Sequence, residues 1–190
     1  MNLFYKVTAK KLFEIRNEIF VKNGLPALKE NGFQKVPFPE SLFGKNNLGH
    51  YTYELGRLNK NNHLEIITTH IIKGEKWIQM YLNIFHPMPV LQSLDQLRNI
   101  NGIQFRLPPN SLTNLRFRGG DFNGNPLLNP VAYKIKSFYT QRGFQKRVNG
   151  LSELIGNDLT NINSFAGKWY KHHQPMMTSW DGKGIEKETI

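Results

Sequence analysis

Residues 51–85, "YTYELGRLNKNNHLEIITTHIIKGEKWIQMYLNIF", decide the fold. Three runs rich in β-branched and aromatic residues, "YTYELGRL", "HLEIITTHII" and "KWIQMYLNIF", are separated only by "NKNN" and "KGE". Separators this short join neighbouring antiparallel strands, so the stretch reads as a β-meander with Lys73, Gly74, Glu75 and Lys76 as a tight hairpin. The second and third runs carry apolar residues on both alternations, whereas a sheet with one wet face alternates more strictly. These two strands are therefore expected at the centre of the sheet, covered on both sides.

The flanks supply the cover. Thr8 can cap a helix with Leu12, Ile15 and Ile19 on one side, ending near Asn23-Gly24, and a short second helix should end at Asn31-Gly32. "FQKVPFPESLFGKNNLGH" reads as a loop because of its prolines and glycines. After the meander, "HPMP" should stop the third strand, "LQSLDQLRNI" should form a short helix and "GIQFRL" a fourth strand. "NSLTNLRFRGG" is either a helical turn or an edge strand. Asn129 and Pro130 should start a helix through "VAYKIKSFYTQR", with Gly143 just past its end. A last helix should begin at Asp158, with Leu159, Ile162, Ala166, Trp169, Tyr170 and His173 along its packed stripe.

The expected fold is thus α+β, an antiparallel meander sheet of about four to six strands covered by N-terminal and C-terminal helices. A single domain is expected over 1–173, with a loose tail over 174–190 that lacks periodicity. No run is apolar enough to span a membrane, and "MNLFYKVTAKKLFEIRNEIF" carries Glu14, Arg16 and Glu18 where a signal peptide needs unbroken apolar residues. A cytoplasmic protein is the expectation. The absence of cysteine excludes disulfides, thiolate nucleophiles and cysteine-based metal centres.

Charge is the strongest functional signal. The chain has a formal net charge of +11, and residues 98–147 hold nine basic side chains against the single acid Asp121. Such density attracts polyanions, nucleic acid first among them, or an acidic protein partner; its bland reading is solubility. The candidate surface is Arg116, Arg118, Lys134, Lys136, Arg142, Lys146 and Arg147. Arg116 and Arg118, two apart in an extended segment, are expected to point the same way.

Within it, "RFRGGDFNGNP" (116–126) invites chemical readings that fail on inspection. A phosphate loop needs Lys followed by Ser or Thr after its glycines, where Asp121 and Phe122 stand. An EF-hand start needs glycine and glutamate where Pro126 and Ala132 stand. The Gly119-Gly120-Asp121-Phe122 run lacks the second acid of the diguanylate cyclase signature. It reads as a connector.

Elsewhere the signals for catalysis are thin. His63 and His70 fall on opposite faces of one strand, and His172 and His173 are neighbours about 100° apart on a helix, so neither pair can chelate one ion. His50 and His86 could approach across the sheet. Glu54 and Glu65 could face each other as a carboxylate pair of the kind hydrolysis uses, although an outward strand glutamate beside Arg57 is the simpler state. No nucleophile elbow, zinc-protease helix or dinucleotide fingerprint is present. The sequence therefore calls for no cofactor and no metal, and favours a non-enzymatic binding domain over a hydrolase. Of the aromatics, Trp169 is expected in the core and Tyr133 on the cationic flank.

Overall fold

A computed structural model describes residues 5–119, 132–135, 138 and 140–183. Its frame is the meander: β3 (Tyr51–Leu58), β4 (Leu64–Ile71) and β5 (Gln79–Met88) pair antiparallel along almost their full length. Short strands extend both edges. β1 (Gln34–Lys35) and β2 (Phe43–Lys45) pair with β3, while β6 (Leu115–Arg116) and β7 (Met176–Ser179) pair with β5. The result is an α+β structure around a seven-stranded sheet, antiparallel except for the β5–β7 pair.

Five local expectations are corrected. The presumed loop before β3 contributes two strands, because Glu54 of β3 accepts from the Leu42 backbone at 2.9 Å and holds that segment alongside. β5 runs through His86-Pro87-Met88 instead of stopping there. The proline lacks an N–H, so only one side of that segment can be fully paired, and β7 occupies the edge. The tail expected to be loose from Gln174 thus contains a strand, and Trp180 just beyond it donates to the Met88 and Pro89 carbonyls. "GIQF" is a 3-10 turn, since Asn101 caps the Ile103 N–H and Gly102 donates to Glu40. There the Gly102 backbone lies so close to the Phe38 ring that any Cβ would clash.

The fourth correction concerns the first helices. α1 (Ala9–Ile19), capped by Thr8, does not end at Asn23-Gly24 but passes through a π-turn, Phe20–Gly24, into α2 (Leu25–Glu30). Gly24 is needed for close approach rather than termination, because a Cβ there would stand 2.6 Å from the Phe20 ring. Asn31-Gly32 does end α2, with Gly32 at φ +81°.

The fifth concerns the third helix. Residues 132–135 are not helical: Tyr133 has φ 58°, its carbonyl accepts from the Ile78 N–H, and Lys134 bridges to Trp77 at the sheet edge. The proposed caps Asn129 and Pro130 lie outside the described residues, as does the rest of the connector from Gly120. Thr140 is the actual cap of α3 (Gln141–Thr160), accepting from Gly143 N–H, so Gly143 belongs to the first turn and Asp158 to the last. α4 (Ile162–His172) follows after Asn161. "NSLT" and "LR" turn out to be a 3-10 turn followed by β6, both of the forms considered.

Strand alternation divides the core in two. Tyr53, Leu55, Ile67, Ile71, Met80, Leu82 and Ile84 point to the four helices and pack with Phe20, Ile155, Leu159 and Trp169. The other face sends Leu64, Ile66 and Phe85 against Val36, Phe38, Leu91, Leu97 and Phe105. Both faces of the central strands are covered, as their unbroken hydrophobicity requires. Among the described residues no helix is long and apolar enough to cross a membrane.

Candidate functional site

The cations predicted to share one surface occupy several places. β6 pairs Arg116 with Tyr81, which puts it on the face of the sheet away from the helices. Arg118 turns back at φ 52° and binds Asp158 of α3 with both Nε and Nη2, at 2.6 and 2.7 Å. The two arginines therefore do not point the same way: a left-handed residue ends the extended run that would have aligned them. Lys134 sits at the Trp77 bridge, and Lys136 lies outside the described residues. Tyr133 is buried and donates to Asp158 at 2.6 Å, so it is no flank aromatic. Burial first, and that bond second, push its phenol well above the ordinary value.

Arg142, Lys146 and Arg147 are exposed on the opening turns of α3. Their neighbourhood holds a feature not legible from the local sequence. α1 and α3 run parallel: Tyr5 meets Phe138 and Phe144 at one end, Asn23 bonds Ser152 at 3.2 Å further along, and Asn31 reaches the Leu159 carbonyl at 3.3 Å. The amino-terminal ends of both helices thus lie together. Lys6, Lys10 and Lys11, also exposed, join the α3 cations there. No acid occurs in residues 5–13 or 140–152, and both helix starts add a partial positive charge. The sequence could not pair these two clusters, since more than a hundred residues separate them.

The proposed carboxylate pair separates onto opposite faces of the sheet. Glu65 takes Arg57 on the helical face, at 2.7 Å, while Glu54 takes Arg106 on the other. Direct strand partners are Glu54 with Thr68 and Glu65 with Arg57, so the meander register forbids their meeting. His50 accepts from the Lys73 N–H, and His86 instead approaches His63, with ring centroids 5.3 Å apart. His63 also bonds the Tyr170 hydroxyl at 2.9 Å. Burial and the neighbouring His86 lower the His63 pKa, with Glu65 opposing. His63 and His70 do lie on opposite faces.

The second face of the sheet also holds a cleft of about 500 Å³, floored by β3, β4 and β5 and walled by the segments around Phe38, Phe105 and Arg106. Glu54, nearly buried, receives the Arg106 Nη2 at 2.7 Å to each oxygen, and the Leu42 N–H as well. Arg106 Nη2 also reaches the Glu40 carbonyl. His70 lies beside this pair with Nδ1 3.3 Å from the Thr52 hydroxyl. Burial first, and Arg106 second, lower its pKa, with Glu75 opposing. Asn83 anchors the wall, donating to the Asn110 carbonyl at 2.6 Å and accepting from Thr113 Oγ1 at 2.6 Å. The cleft contains one carboxylate and one imidazole, and that carboxylate is engaged by Arg106. It is not the two-carboxylate arrangement of a glycosidase.

Period-two alternation put Glu54 on the face opposite Tyr53 and Leu55, which was the available signal for a buried acid. Its partner, 52 residues away, had none. Comparisons with protein-family models, curated proteins and solved structures return no match.

Proposed function

We propose that this protein is a binding domain for a polyanion, nucleic acid in particular, and that its contact surface is the shared amino-terminal end of α1 and α3. The supporting observation is the parallel packing of those helices, which gathers Lys6, Lys10, Lys11, Arg142, Lys146 and Arg147 where neither helix start, 5–13 or 140–152, carries an acid. Phosphate oxygens are strong acceptors for such groups, and a row of cations tracks a backbone without reading bases. The surface is narrower than the seven residues of the connector region and includes three lysines from the start of the chain.

Fluorescence anisotropy with labelled duplex and single-stranded oligonucleotides tests the reading. Binding at low salt in the micromolar range is expected, and the double reversal Arg142→Glu with Lys146→Glu should weaken it at least about tenfold. Both positions are exposed, so the variant should fold normally. Equal binding by variant and wild type would remove this surface. An acidic protein would use the same cations, and nuclease treatment of a native pull-down separates the cases: nucleic-acid-mediated partners are stripped, a direct protein partner stays.

A further inference from the structure

We propose that the cleft on the opposite face of the sheet is a binding site for a small organic acid, a carboxylate carried on an apolar body. This inference is independent of the polyanion reading, because the cleft lies across the sheet from α1 and α3. Its volume of about 500 Å³ falls in the range that holds small molecules. Phe38, Phe85, Phe105 and Ile66 supply apolar walls.

The polar groups decide the ligand's chemistry. The charged acceptor is engaged, since both Glu54 oxygens receive Arg106, and the Gln79 and Asn83 amides are bonded through both their oxygen and their nitrogen; Thr68, Ser111 and Asn114 complete the polar lining. The open charged donor is Arg106. Arg106 uses only Nη2, leaving the Nε and Nη1 hydrogens without a hydrogen bond among the described residues. His70 Nδ1 stands 3.3 Å from the Thr52 hydroxyl, and its Nε2 has no hydrogen bond among the described residues. The N–H groups left on the guanidinium can only donate, and they carry positive charge, so they select an acceptor of negative charge such as a carboxylate oxygen. A cationic ligand would meet Arg106. Glu54 has the positioning role: fixed by the Leu42 N–H, it holds the guanidinium at the cleft before any ligand arrives.

Phenylbutyrate and its neutral amide, phenylbutyramide, are suitable probes, followed by calorimetry and by amide resonances of the cleft residues. The acid should bind in the millimolar range or tighter and shift residues of β4 and β5, and the amide should bind about tenfold more weakly. Arg106→Gln should reduce the preference for the acid to near unity. If that variant does not fold, Thr68→Tyr, which fills the cleft from its floor, should abolish binding of both probes. The proposal is overturned if the acid produces no cleft shifts at millimolar concentration, if the amide binds equally well, or if the folded variants bind as the wild type does.

Discussion

Asp158 accepts two hydrogen bonds from Arg118 and one from Tyr133, and these partners lie on either side of the undescribed part of the connector. One carboxylate on α3 therefore fastens both ends of that segment to the helical layer. The sequence suggested the start of a helix at Asp158, because an apolar stripe of helical spacing follows it. A buried acid three bonds deep has no local signature to distinguish it. Asp158→Ala removes the acceptor that Tyr133 and two Arg118 nitrogens share and should cost about 3 kcal/mol in a urea unfolding experiment. A loss below about 0.5 kcal/mol would mean that the cluster is a surface pair with no structural consequence.

The histidines give a pH dependence of definite sign. His63 and His70 both have folded pKa values below the ordinary 6.5. Below pH 6.5 the unfolded chain therefore binds protons that the folded chain refuses, so their stability contribution is complete above that pH and falls as pH drops toward the folded values. The groups facing His70 are Arg106 and Glu75, and those facing His63 are His86 and Glu65. The urea midpoint should decline between about pH 7.5 and pH 5, and His70→Asn should flatten the decline. A midpoint constant over that range would contradict the depressed values.

Among the secondary-structure elements, those read correctly from sequence are the ones whose signal is local and whose burial is two-sided. β3 and β4 fall in the runs that defined them, β5 covers most of its run and continues past it, and Thr8 caps α1 as its position implies. The failures occur where tertiary contacts choose between local options. Gly24 ends no helix because Phe20 and Leu159 need its missing Cβ. Gly102 to Phe105 forms no strand because Glu40 and Phe38 engage its first residue. Met176–Ser179 has a strand's composition only in part, but β5 offers it a free edge.

The stripe on α4 was legible except at Tyr170, which is exposed, and Trp169 is its centre. It is fully buried, and its indole donates to the Thr113 carbonyl at 2.6 Å, joining the helical layer to the turn that precedes β6. Trp169→Ala should cost about 4 kcal/mol, from lost packing and an unpaired carbonyl. Trp169→Phe keeps much of the packing and should retain more than half of the lost stability. Equal melting of wild type and the alanine variant would mean that α4 is not part of the cooperative core.

At the scale of the whole molecule, the net charge of +11 was plain from composition, but its arrangement was not. Proximity along the chain suggested that Arg116 to Arg147 formed one group. Folding instead commits Arg118 to Asp158, places Arg116 on the other face of the sheet, and joins the α3 cations with lysines from the far end of the chain. The cleft was hidden for the same reason, since Glu54 and Arg106 become partners only when the segment after β5 folds over the sheet.

The salt dependence of oligonucleotide binding tests the central proposal most directly. If the six cations at the joined helix ends contact phosphates, a plot of log K against log salt for duplex DNA should have a slope of about −5, and reversing Arg142 and Lys146 should reduce its magnitude by about 2. A slope near zero, or one that the double reversal leaves unchanged, would contradict the assignment of this surface to a polyanion.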